Sequence, residues 1–151
     1  MDLSKPIRIV GLLAAAVFLA SCAGVSFLQK QDAAEAARFN AYAGRPVDHF
    51  MWLIQHRGTA AISPNQLVAW ANFDRPYLIT VAQPCPDLML NFRGMTSTLD
   101  EVYVRGDLVA AGTHFCDIQS IQPVDYPRME RDLRQNLAGA SQKTPASHLR
   151  G

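Results

Sequence analysis

The chain has 151 residues, 49% of them hydrophobic and 18% charged, with 14 basic side chains against 13 acidic ones. That length and balance suit one globular domain with short extensions. A net charge of +1 supplies no basic field for a polyanion, so nucleic acid is not expected as a partner.

Residues 1–21 read as a lipoprotein signal peptide. Lys5 and Arg8 form a basic start, and Ile9 to Ala20 is an uncharged run. The run is about a dozen residues, too short and wrongly flanked for a stable membrane-spanning helix. It ends in Leu19-Ala20-Ser21-Cys22, the pattern of a bacterial lipobox. In that motif, small residues precede a cysteine that is diacylated and becomes the mature N-terminus. An ordinary secretory signal with an incidental cysteine is the plainer alternative. Cys22 is therefore the lipidation candidate, and the membrane, reached through the lipid, is the first expected partner. Ala23, in place of an aspartate, points onward to the periplasmic face of the outer membrane. Cleavage would remove Asp2, Lys5 and Arg8 and leave a formally neutral chain.

Residues 22–31 then form a lipid-anchored tether, and residues 32–44 a short helix. Asp32 with Glu35 resembles a capping box, Ala37, Phe39 and Tyr42 are the larger contacts, and Gly44 ahead of Pro46 is a natural stop. Residues 45–125 make the β domain. Val47 to Ile54 alternates, with Phe50, Trp52 and Ile54 on one face and His49, Met51 and Leu53 on the other, and predicts the first strand. Gln55 to Ala61 is polar and reads as a loop, followed by a turn at Ser63-Pro-Asn-Gln66. Leu67 to Ala71 and Tyr77 to Ala82 are strands joined as a hairpin through Asn72 to Pro76. Pro84 and Pro86 stop the second of these and hold Cys85 at its end.

Leu88, Leu90 and Phe92 alternate like a short edge strand, and Gly94 to Thr98 reads as a loop. Glu101 to Arg105 predicts a strand with Val102 and Val104 inward. Gly106-Asp107 reads as the two-residue turn of a hairpin into Leu108 to Ala111. His114 to Ile121 is the final strand, ended by Pro123. Its alternation slips near Ser120-Ile121, which predicts a bulge. Residues 126–138 read as a charged helix with Met129, Leu133 and Leu137 on one stripe, and residues 139–151 as a disordered tail. The fold class is mainly β: a small antiparallel barrel or sandwich with a helix at each end.

The chain has three cysteines. Assigning Cys22 to lipid leaves Cys85 and Cys116 as an even pair, which an oxidising periplasm would bond. The bond requires the strands beginning at Tyr77 and His114 to be neighbours or to face each other, with Cys116 inward beside Ile118.

Several stretches carry a family resemblance: Tyr42-Ala-Gly-Arg-Pro-Val-Asp48, Val68-Ala-Trp70, Tyr77-Leu, Pro84-Cys-Pro-Asp-Leu88, Thr96-Ser-Thr, and Cys116-Asp-Ile-Gln-Ser-Ile-Gln-Pro-Val-Asp125. In that order they resemble a family of small exported proteobacterial proteins catalogued as a domain of unknown function (family 6491). The resemblance spans about Tyr42 to Asp125, and its most specific pieces are the Pro-Cys-Pro segment and the cysteine strand. It implies a shared fold and an exported address, and it carries no activity or catalytic residue.

No set of residues spells out a reaction, and none is assigned as catalytic. His49, His114 and Asp117 make the one metal set that can be drawn, but they lack ligand-motif spacing, as does His56. No metal or other cofactor is expected. Cys116 as a nucleophile conflicts with its pairing. Asp74 with Arg75, and Asp100 with Glu101, read as turn residues rather than acid–base pairs. Arg105-Gly-Asp107 spells an adhesion tripeptide but reads as a hairpin turn. Phe50, Trp52, Trp70, Phe73, Tyr77, Phe92, Tyr103 and Phe115 supply most of the expected core, unless Trp70 or Phe73 lines a ligand mouth. The reading is a non-enzymatic binding or adaptor module of the bacterial envelope, with an envelope protein as a candidate partner. The alternative is a small hydrolase or metal-dependent enzyme. A deep pocket with convergent polar groups would favour the enzyme, and a closed core the module.

Overall fold

The apolar runs around Leu67 and Leu78 sit at the centre of the molecule because both of their faces are covered. In the computed structural model, which describes residues 30–52 and 58–142, helix α1 covers residues 30–41. The expected signal peptide, Cys22, the expected tether up to residue 29, Leu53, Ile54, His56 and residues 143–151 lie outside the described residues. The strands are β1 (His49–Met51), β2 (Thr59–Ser63), β3 (Gln66–Asn72), β4 (Arg75–Val81), β5 (Phe92–Met95), β6 (Glu101–Tyr103), β7 (Leu108–Ala111) and β8 (His114–Pro123). Helix α2 (Leu88–Asn91) precedes β5, and helix α3 (Tyr126–Gln142) follows β8.

Among the described residues, six strands form one antiparallel sheet in the order β2-β3-β4-β8-β7-β5, and β1 pairs with β6 as a separate ribbon. The edge strands β2 and β5 touch, so the sheet nearly closes into a barrel, with α2 packed on β2 and β7. Leu67, Ala69, Ile79, Val81, Val109, Ile118 and Ile121 fill the interior with Phe50 and Val102 of the ribbon. Val68 and Leu78 point the other way, into a second cluster with Phe39 of α1 and Met129 of α3. A strand buried on both faces loses its polar alternation, which is why β3 and β4 read as continuous apolar runs.

Polar contacts seat the helices on the sheet. Asn40 and Gln66 exchange amide hydrogen bonds at 2.9 and 3.1 Å, and the Tyr42 hydroxyl donates to Asp132 at 2.7 Å. Asp125 caps α3 by accepting from the Arg128 amide at 3.1 Å. Cys85 and Cys116 are bonded across 5.8 Å between Cα atoms, tying the segment after β4 to β8. The strands that begin near Tyr77 and at His114 are indeed neighbours, and Cys116 and Ile118 both face inward.

Several expectations are corrected. The core is aliphatic: of the eight aromatics assigned to it, Phe50 alone is buried. Phe73 and Phe115 are 62% and 67% exposed, and the others lie half-buried or outside. A narrow barrel interior suits branched aliphatics, and large rings are displaced to its rim and outer face. Phe50 is the exception, buried in the core with its ring stacked on that of Tyr77 at 4.4 Å. Residues 59–63, within and after the expected loop, form β2 because Ser63 pairs with Gln66 across a tight turn and Ile62 is buried. Leu88 to Asn91 is a helical turn rather than a strand. Asp87 takes a left-handed φ of 66°, the Leu90 and Asn91 amides donate to its carbonyl, and Leu90 faces solvent. Gly94 and Met95 extend β5 into the expected loop. The helix at residue 30 already includes Asp32, which is therefore no cap. At the other end, residues 139–142 continue α3, and of its expected stripe Met129 is buried while Leu133 and Leu137 are exposed.

Strand β6 pairs with β1 and not with β7, so the expected Gly106-Asp107 hairpin does not form. Its own hairpin lies on the other side, where Thr98 bridges Glu101 across Leu99 and Asp100 at φ 53° and 62°. Two successive left-handed residues mark the turn type that favours Asn-Gly, and a leucine there is costly. Replacing Leu99 by Asn and Asp100 by Gly should stabilise the protein by about 1 kcal/mol in urea unfolding. A loss of stability would mean that Leu99, 93% exposed, makes contacts beyond the described residues. Gly112, at φ 57°, is the counterpart where the sequence does supply glycine: a Cβ there would lie 2.8 Å from the Asp87 carboxylate.

Candidate functional site

The candidate site follows from the slip in β8. Residues 114–117 of β8 pair with β7, and residues 118–123 pair with β4. Thr80 faces Ser120 but Val81 faces Ile118, which leaves Gln119 as the extra, bulged residue. The bulge expected at Ser120-Ile121 is thus present one residue earlier.

Strand β7 begins only at Leu108, opposite Asp117, so the same edge of β8 needs other partners beyond that point. Two segments supply them. The Arg105 amide donates to the Ile118 carbonyl at 3.4 Å, and the Val47 amide to the Ile121 carbonyl at 2.8 Å. Between these points, among the described residues, no strand pairs with Gln119 or Ser120 on this edge. A cleft of about 390 Å³ opens there, walled by Asp48, Tyr103 and Arg105. A neighbouring hollow of about 510 Å³ shares Arg105 and Gln119 and adds Asp117.

Arg105 stands between the two hollows. It is exposed, at φ 64°, with no carboxylate within 4.0 Å among the described residues. Its turn is held from below by Asp107, the buried charged side chain of the described residues. Asp107 accepts from the Thr96 hydroxyl at 2.7 Å and the Tyr103 amide at 2.9 Å, and Thr96 in turn accepts from the Leu108 amide at 2.8 Å. A carboxylate bonded through both of its oxygens in this place fixes the 104–106 turn and hence the root of the arginine. It also means that Arg105-Gly-Asp107 is not displayed as a tripeptide, since its carboxylate is used inside.

On the far wall His49 stacks on Tyr103, ring centroids 5.1 Å apart, and the Tyr103 hydroxyl donates to the Glu101 carboxylate. That hydrogen bond, with burial and the charges of Glu101 and Asp107, holds the phenol above its ordinary pKa. Tyr42 is raised in the same way, first by its bond to Asp132. Both phenols hold their protons more tightly in the folded state. Their contribution is therefore complete below about pH 10 and is lost as pH rises through the raised values. The ultraviolet titration of the four tyrosines should show a late-ionising fraction that Tyr103→Phe and Tyr42→Phe each reduce. A titration unchanged by both substitutions would contradict these contacts.

The structure does not gather the metal set drawn from the sequence. His49 lies against Tyr103, His114 pairs with Ala111 at the β7–β8 hairpin, and Asp117 lines the second hollow. Among the described residues no three His, Cys, Asp or Glu side chains converge. Asp74 sits in the β3–β4 turn, its amide on Asn72, and Asp100 in the β5–β6 turn. Trp70 packs edge-on against Tyr126 at 4.7 Å, beside the second core cluster. Arg105 and Gln119 were not singled out by the sequence as binding residues. The one signal for them was the broken alternation of β8, because the cleft arises where three distant segments fail to meet.

The chain matches no curated protein and no solved structure. A family model matches it over residues 5–140, nearly its whole length and including every element of the barrel. The chain belongs to DUF6491, a family of unknown function.

Proposed function

We propose that the protein is an envelope lipoprotein, a non-enzymatic binding or adaptor module held by acyl chains on Cys22 at the periplasmic face of the outer membrane. The observation that carries this reading is the Cys85–Cys116 bond. Such a bond belongs to an oxidising compartment, and it leaves the lipobox cysteine as the one unpaired thiol of the three. The basic, apolar leader ahead of Cys22 supplies the route to that compartment. Binding, rather than chemistry, is supported by the make-up of the Arg105 cleft: it is open and joins one guanidinium, side-chain amide and hydroxyl groups, and two flanking carboxylates. These are groups that position a ligand.

The test is metabolic labelling of the full chain with a fatty acid in a Gram-negative host. The wild-type protein should take up label and be processed before Cys22. Cys22→Ser should abolish both. A serine variant that is still cut at the same place and still sediments with membranes would show that the leader works by another route.

A further inference from the structure

We infer that the outer half of α3, with the basic residues that follow it, lies on an anionic phospholipid surface. This deepens the lipoprotein reading and rests on it: the lipid proposed on Cys22 brings the domain to a bilayer, and α3 gives it a second contact there.

Three observations lead there. First, the helix outlasts the body it packs on. Met129 is buried in the second core cluster, but every residue from 133 to 140 is exposed. A helical end of about ten residues is marginal in water on its own, and Gly139 weakens it further. Second, that end is amphipathic. Leu133, Leu137 and Ala140 fall at i, i+4 and i+7, on one face that continues from Met129. Leu133 is 41% exposed and Leu137 60%. An apolar stripe on an otherwise polar helix is the pattern that settles at a membrane interface.

Third, the charge is one-sided. Asp132 is the last acidic residue of the chain, and Arg134, Lys143 and Arg150 come after it. Residues 22–132 carry nine basic and twelve acidic side chains, so the near-neutral total conceals a negative body and a positive end. The two acids nearest that end are already engaged. Glu130 pairs with Arg134 at 3.6 Å, and Asp132 accepts from the Tyr42 hydroxyl and lies 3.9 Å from Arg128. An anionic surface is therefore attracted to this end and not to the rest of the molecule. A bilayer fits it better than a second copy of the chain. Two such ends side by side would bring like charges together, whereas lipid phosphates neutralise them while the leucines enter the acyl boundary.

The experiment uses the mature, lipidated chain in nanodiscs and follows amide hydrogen exchange by NMR. One set of discs is phosphatidylcholine alone, and the other contains about 30% phosphatidylglycerol. Amides of residues 135–142 should exchange at least about tenfold more slowly in the anionic discs, and about 1 M salt should remove most of that difference. The double variant Leu133→Gln, Leu137→Gln should lose the slowing. So should the triple variant Arg134→Gln, Lys143→Gln, Arg150→Gln. In both, the amide shifts of β3 and β4 should stay as in the wild type, which shows that the barrel is intact. Equal exchange in the two kinds of disc would overturn the inference. Slowing that survives the triple variant would do the same, because the basic end would then not be what meets the lipid. Slowing that needs no anionic lipid and grows with protein concentration would assign this face to a second copy and overturn it likewise. Attachment to the phosphatidylcholine discs reports the Cys22 lipid by itself, so a failure of the anchor shows there and a failure of the helix shows in the exchange.

Discussion

Removing either Cys85 or Cys116 should lower the stability of the folded protein by about 3–4 kcal/mol, measured as the change in unfolding free energy in urea. The two cysteines are 31 positions apart, so their bond closes a long loop in the unfolded chain and removes much of its freedom. In the folded state both side chains lie within the barrel core, 7% and 5% exposed, and the bond fastens the segment after β4 to β8. That segment leads directly into α2, whose Leu88 closes the core between β2 and β7. The loss should therefore reach beyond the chain-entropy term. The Leu90 and Asn91 amides, both bonded to the Asp87 carbonyl, ought to exchange hydrogen faster in a Cys85→Ala, Cys116→Ala double variant than in the wild type. A double variant as stable as the parent would mean that packing alone holds this side of the barrel.

The second large effect separates an aliphatic core from an aromatic one. Ile79 is fully buried at the centre of the sheet, paired on one side with Leu67 and on the other with Ile121. Ile79→Ala should cost about 2–5 kcal/mol, the sum of lost transfer energy and the cavity left behind. Phe115→Ala removes a larger side chain but one that is 67% exposed, and should change stability by less than about 0.5 kcal/mol. If the phenylalanine proved the costlier of the two, the outer face of β7 and β8 would be covered by something beyond the described residues.

Both predictions turn on the difference between a strand's pattern and its surroundings. The hairpin of β3 and β4 was legible because its apolar runs are separated by a turn rich in polar residues and proline. The long strand carrying Cys116 was legible from its alternation, and the bulge from the point where that alternation slips. The pairing of Cys85 with Cys116 followed from the count of three cysteines once Cys22 was set aside as the expected lipid site. The helix at each end was legible as well, though α3 runs four residues beyond its expected end.

What stayed hidden has one physical cause. Alternation reports that one face of a strand is buried; it does not report which strand lies beside it. Strand β6 alternates as expected, and Val102 is buried as expected, yet its partner is β1, some fifty positions earlier, rather than the adjacent β7. That choice moved Asp107 from a solvated turn into a buried network with Thr96. The same limit applies to size: the sequence marked Phe73 and Phe115 as hydrophobic, but only the curvature of a nearly closed sheet decided that branched aliphatics fill its interior. The cysteine pairing and most strands were determined by the sequence itself, through local pattern and covalent chemistry. The Arg105 cleft was decided by tertiary structure alone, because it is the space left where β8 outruns β7 and two remote segments bridge its edge without closing it.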